Sequence, residues 1–161
     1  CSSDLFNLAL SLITPPESVR EQLLLSKTEQ VYKLVRLRMA DDEPMILEES
    51  FLPKKIFPEL TMNVISGTPL YVVMKQNYGE TAIMAFEDIK ADVTNQKESL
   101  LLETGEHAAC LKIYRRSIND KNIPIEFTKS VARSDRFVYR TKQYNRRVLS
   151  GNSETNNKGE A

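Results

Sequence analysis

The sequence predicts an α+β domain, an antiparallel sheet with short helices packed on one of its faces. Three observations lead there. Stretches 31–53 and 108–131 read as hairpins, the first with alternation from Tyr32 to Arg38, and each turns back through an Asp- or Asn-rich centre. Helical spacing appears only in short runs between these hairpins. The chain has 161 residues, enough for a single core, with one domain expected over 1–142 and a polar, flexible tail over 143–161.

Leu5 to Ile13 is apolar and reads as a buried strand, stopped by Thr14-Pro15-Pro16. Thr14 is a candidate cap for a helix over Glu17–Leu25, with Ser18-x-x-Glu21 as a competing capping box. The hairpin Val31–Pro53 organises the rest. Its alternation places Tyr32, Leu34, Arg36 and Arg38 on one face and Val31, Lys33, Val35 and Leu37 on the other. A three-residue loop centred on Asp42 sets Arg36 opposite Glu48 and Arg38 opposite Ile46. Arg36, Arg38, Glu48 and Ser50 then share one surface of the sheet.

Pro58 limits 53–60 to a turn. Thr68 as cap and Pro69 at the first helical position open a helix that carries Leu70, Tyr71, Val73 and Met74 and stops at Gly79. Thr81–Val93 reads as a strand, and Thr94 as the cap of a short helix through Leu102. Ala108–Ile118 and Ile123–Val131 form the second hairpin, where a four-residue loop sets Arg115 opposite Glu126. Phe137–Tyr139 begins a last strand. The hairpins share Lys-x-x-Arg before the turn (33–36 and 112–115) and a proline after it (Pro44, Pro124), a weak internal repeat.

Lysines plus arginines and aspartates plus glutamates are 22 each, so no overall field points to nucleic acid or a membrane surface. No apolar run approaches the roughly 20 residues of a membrane helix, and the first residues do not resemble a signal peptide. Opening on Cys1 without a methionine is expected of a piece of a longer protein. Two cysteines with no metal-ligand spacing to the single His107 suggest free thiols and a cytoplasmic location, with Cys110 a small buried hydrophobe. No metal site, cofactor or catalytic set is expected: His107 lacks partners, and no glycine loop of phosphate-cradling pattern is present.

What remains is the polar set on the sheet. A solvated cross-strand ion pair would contribute little. The alternative is an anion-binding cleft, in which guanidinium forks grip a phosphate or carboxylate while Glu48 and Glu126 accept hydrogen bonds from hydroxyls or an amine. For Arg133-Ser134-Asp135-Arg136 a structural salt bridge is the favoured reading.

The arginine pair before the D-x-x-P turn, the strand Glu48-Glu49-Ser50-Phe51-Leu52-Pro53, the Gly67-Thr68-Pro69-Leu70-Tyr71 helix start, Pro124-Ile125-Glu126 and Asp135-Arg136-Phe137 fall in one register. Together they resemble the UTRA domain of GntR-type bacterial transcription regulators of the HutC subfamily, over about residues 5–140. The resemblance implies a chorismate-lyase-like fold and an effector-binding, homodimerising role without catalysis. It also implies operator DNA as a partner, bound only through an N-terminal winged helix-turn-helix domain that this stretch lacks. Effectors in the family are commonly sugar phosphates or small carboxylates. By position, Arg36 and Arg38 match the ligand-gripping arginines, Glu48 and Glu126 the carboxylates on the return strands, and Tyr71 the helix-start tyrosine. Pro69 replaces the usual serine there, leaving Thr68 to offer a hydroxyl, and Ala132 replaces a frequent aromatic. The serine- and threonine-rich segment that often caps the phosphate would precede Cys1. These departures weaken the case for a phosphate specifically. Two other functions compete: an enzyme resembling chorismate lyase, and a dimerisation module with a vestigial pocket.

Overall fold

The computed structural model describes residues 3–144. In chain order the elements are β1 (Ser3–Ile13), α1 (Glu17–Gln22), β2 (Val31–Ala40), β3 (Glu43–Pro53), α2 (Met62–Ile65), α3 (Leu70–Tyr78), β4 (Ala82–Val93), α4 (Gln96–Leu102), β5 (Ala109–Asn119) and β6 (Pro124–Arg133). The strands form one sheet of order β1-β2-β3-β6-β5-β4, antiparallel at every pairing. Each half is a three-stranded meander, and β3 and β6 join the halves at the centre.

The first hairpin has the expected register, Arg36 opposite Glu48 and Arg38 opposite Ile46, but not the expected loop. Asp41 and Asp42 both take left-handed backbone (φ 51° and 63°), as in a two-residue turn whose twist suits a hairpin. A bulge beyond Arg38 restores the residue that the shorter loop removes. The second hairpin departs from its predicted pairing. Asn119 accepts the amides of Lys121 and Ile123 at 3.0 and 2.9 Å, and a bulge follows Ser117. Arg115 therefore faces Thr128, and Glu126 faces Ser117. The slip is two residues, so all four side chains keep the expected face.

The helices cover both faces of the sheet rather than one, because both faces are apolar. Leu34 and Leu52 pack with Ile65 of α2 and Leu70, Val73 and Met74 of α3. On the reverse, Val31, Phe51 and Phe127 bury Val19 of α1, while Leu47 and Val131 bury Leu102 of α4. The first strand is also not buried. With a neighbour on one side only, it leaves Leu5, Phe6, Leu8 and Leu12 at least 40% exposed, and only Leu10 and Ile13 reach the core clusters.

Helix ends differ by one to three residues from expectation. Pro16, not Thr14, holds the cap position of α1, which ends at Gln22. Pro69 holds that of α3, while Gly79 ends it in the left-handed region as expected. Asn95 caps α4 through a capping box with Glu98. Thr94 is buried instead, its hydroxyl 2.7 Å from that of Ser99 and accepting the Ala108 amide. The single turn α2, capped by Thr61, was not anticipated. Phe137–Tyr139 forms no strand: the Phe137 amide closes a turn onto the Arg133 carbonyl. Arg133 binds Asp135 through Nε and Nη2 and reaches the carbonyls of Pro44 and Leu102, the structural role expected of it. Cys110 is buried, and burial pushes its thiol pKa up. Cys1 and most of the expected tail, 145–161, lie outside the described residues. Among the described residues no helix is long and apolar enough to cross a membrane.

Candidate functional site

The face that carries α2 and α3 is apolar at one end and polar at the other. At the polar end β2, β3, β5 and β6 contribute Arg36, Glu48, Ser50, Ser117, Glu126 and Thr128, each at most 9% exposed. Strand alternation places them there: residues directly opposite one another in register share a face. Glu48 receives two guanidiniums. Arg38 Nη2 donates to its Oε1 at 3.2 Å, while Arg36 Nη2 lies 3.1 Å from Oε2 without the alignment of a hydrogen bond. Among the described residues Nε of both arginines and Oε2 of Glu48 are buried with no hydrogen-bond partner, a costly arrangement for charged groups unless something completes it.

A second network adjoins the first. Glu126 accepts from Thr128 at 2.6 Å and from Ser117 at 3.2 Å, and the hydroxyls of Thr128 and Ser50 are 2.9 Å apart. The Tyr71 hydroxyl, carried in by α3, sits 3.2 Å from Ser117 Oγ and accepts from Arg115 Nε at 3.3 Å. Arg115 in turn reaches Glu87 on β4 at 3.4 Å. The Tyr71 pKa is raised, by burial first and by the Glu126 charge next. Burial alone would lower Arg115, but its bonds to Tyr71 and Glu87 outweigh that and leave it raised.

Two adjoining cavities of about 440 Å³ each open onto these groups and share Arg36, Arg38 and Tyr71. The first is completed by the Gly67–Tyr71 segment and by Asn7 and Leu34, and among the described residues has no carboxylate in its wall. The second holds Glu48, Glu87 and Glu126 against Arg115. Every residue singled out for ligand contact, namely Arg36, Arg38, Glu48, Thr68, Tyr71 and Glu126, lines one or both. Ala132 is fully buried, and the aromatics in the second wall are Tyr71 and Phe137.

The UTRA domain profile matches residues 7–138. The chain belongs to the UTRA-domain family. It is 25% identical over 124 residues to the HTH-type transcriptional regulator GmuR of Bacillus subtilis, which covers 77% of this chain and 52% of GmuR. It is 24% identical over 128 residues to the HTH-type transcriptional repressor NagR of the same organism, covering 80% and 52%. The chain thus spans about half the length of the curated relatives it matches. The ligand-binding domain of a GntR-family regulator from Bordetella bronchiseptica superposes with a TM-score of 0.84 at 21% identity, covering 89% of this chain and 92% of that one. Six antiparallel strands with a few short helices match the expected chorismate-lyase-like α+β class.

In this UTRA domain several candidate residues escaped the sequence reading. Ser117 and Thr128 share a face with Glu126, a parity available from the sequence, but the two-residue slip hid the Ser117–Glu126 contact. Glu87 and Asn7 come from the outer strands, where no motif marks them. His107 is exposed at a left-handed turn position remote from the cluster. Among the described residues no group of three or more His, Cys, Asp or Glu is arranged to hold a metal ion.

Proposed function

We propose that this UTRA domain is the effector-sensing part of a GntR-type transcription regulator of the HutC subfamily, working in the cytoplasm as a homodimer. It holds a small anionic metabolite and passes its occupancy to a separate winged helix-turn-helix domain on operator DNA. The observation that carries the reading is the Arg36–Glu48–Arg38 cluster, whose buried Nε groups lack acceptors at the wall between two cavities. Charge is divided between those cavities. The first offers two guanidiniums, the Thr68 side chain and the start of α3, which has no side-chain cap. That combination suits a phosphate or carboxylate. The second is rich in carboxylates and hydroxyls and suits the hydroxyl or amine groups of the same molecule. Binding without turnover is favoured by the regulator names of the relatives.

Calorimetry with a panel of sugar phosphates and small carboxylates tests this. At least one member binds the wild-type chain, and Arg38→Ala weakens it about tenfold or more, the loss of one charge-assisted contact. Arg38 is the choice because its removal leaves the Arg36–Glu48 pair in place. Chorismate incubated with the chain yields no 4-hydroxybenzoate. No heat from any panel member, or release of that product, would overturn the reading.

A further inference from the structure

The opposite face of the sheet carries a groove of about 510 Å³ between α1 and the strands β4, β5 and β6. Register lays out its floor. Phe86, Arg116 and Phe127 lie abreast, and Asp88, Tyr114 and Lys129 form the next row. The Arg116 guanidinium sits 5.0 Å from the centre of the Phe86 ring. The Lys129 ammonium lies 5.7 Å from that of Phe51 and 6.0 Å from that of Phe127. Among the described residues neither cation forms an ion pair, whereas neighbouring Lys112 is held by both Asp92 and Glu98. Nε of Arg116 is buried with no hydrogen-bond partner among the described residues. Lys90 adds a third positive charge to the lining, against the one carboxylate of Asp88.

Ring faces attract these cations, but a ring accepts none of the in-plane N–H bonds of a guanidinium. An anion supplies those acceptors. The aromatic floor beside them favours a flat apolar body attached to it. We propose that this groove is a second binding site, independent of the Arg36 cluster, for a small anion bearing an aromatic group. A carboxylate and a phosphate ester present the same acceptors, so both are candidates.

Amide NMR titrations of the full chain with benzoate, phenyl phosphate and inorganic phosphate test the assignment. The two aromatic anions give saturable shifts centred on Phe86, Tyr114 and Arg116, and the tighter of them identifies the headgroup. Inorganic phosphate binds about tenfold more weakly, lacking the ring contacts. Arg116→Ala combined with Lys129→Ala weakens phenyl phosphate about tenfold or more, and Lys129→Gln alone serves if the double variant does not fold. Arg38→Ala leaves these shifts unchanged, which separates the groove from the front cavities. Absence of saturable shifts, equal binding of inorganic and phenyl phosphate, shifts centred on Arg36 and Tyr71, or occlusion of the groove by a second copy would each overturn the proposal.

Discussion

The two halves of the sheet place an arginine at matching positions and surround it differently. Arg36 on β2 lies between Asn7 on β1 and Glu48 on β3; Arg115 on β5 lies between Glu87 on β4 and Thr128 on β6. The halves meet at the central pair Glu49–Lys129. In the first half the carboxylate is on the inner strand, so the ion pair is drawn under cover, 3.1 Å long with both side chains 11% exposed. In the second it is on the outermost strand, and the pair is 3.4 Å long with side chains 43% and 26% exposed. Moving one carboxylate across the arginine thus separates a buried charge cluster from an ordinary surface contact. Only the buried one leaves donors waiting for an acceptor.

The largest expected effect is on the buried side. Glu48→Ala strands Arg36 without its counter-charge and costs about 3 kcal/mol in urea unfolding. Arg36→Met together with Glu48→Leu recovers most of that loss while abolishing effector binding. A cost below about 1 kcal/mol for Glu48→Ala would put the cluster in the same class as its counterpart. On the exposed side Arg115→Ala costs less than about 1 kcal/mol in the same assay, and a larger loss would erase the contrast.

The smallest effect appears with pH. Tyr71 has its pKa raised above the usual 10.0, chiefly by burial. A raised native pKa means the folded chain holds the proton more tightly than the unfolded one. The associated stability is fully present below pH 10 and is lost as pH rises through the native value. Phenolate absorbance of wild type against Tyr71→Phe should show this tyrosine ionising late, with the two stability curves diverging only in that alkaline window.

Much of this contrast was legible in the sequence. Within a strand, parity needs only the alternation of residues, which set Arg36 with Arg38 and Glu48 with Ser50; that the two pairs share a face rested on the assumed loop length. Register is harder, because bulges carry no composition signal. In the first hairpin the bulge cancelled the error in the loop, and in the second the bulge after Ser117 moved Arg115 from Glu126 to Thr128. The first strand was misjudged for another reason. An apolar run states what a strand can bury, whereas its place at the sheet edge depends on pairings far along the chain. The cap of α4 is Asn95 rather than Thr94, both residue types being able to accept a first-turn amide, so composition does not decide between neighbours.

Tyr71 borders both cavities, yet its hydroxyl is tethered to Ser117 and Arg115 on β5. The ring is thus held at 3.2 Å from Ser117 Oγ and 3.3 Å from Arg115 Nε while its other side faces the Arg36 cavity. A single aromatic side chain therefore ties α3, which packs on Leu34 and Leu52 of the first meander, to β5 of the second.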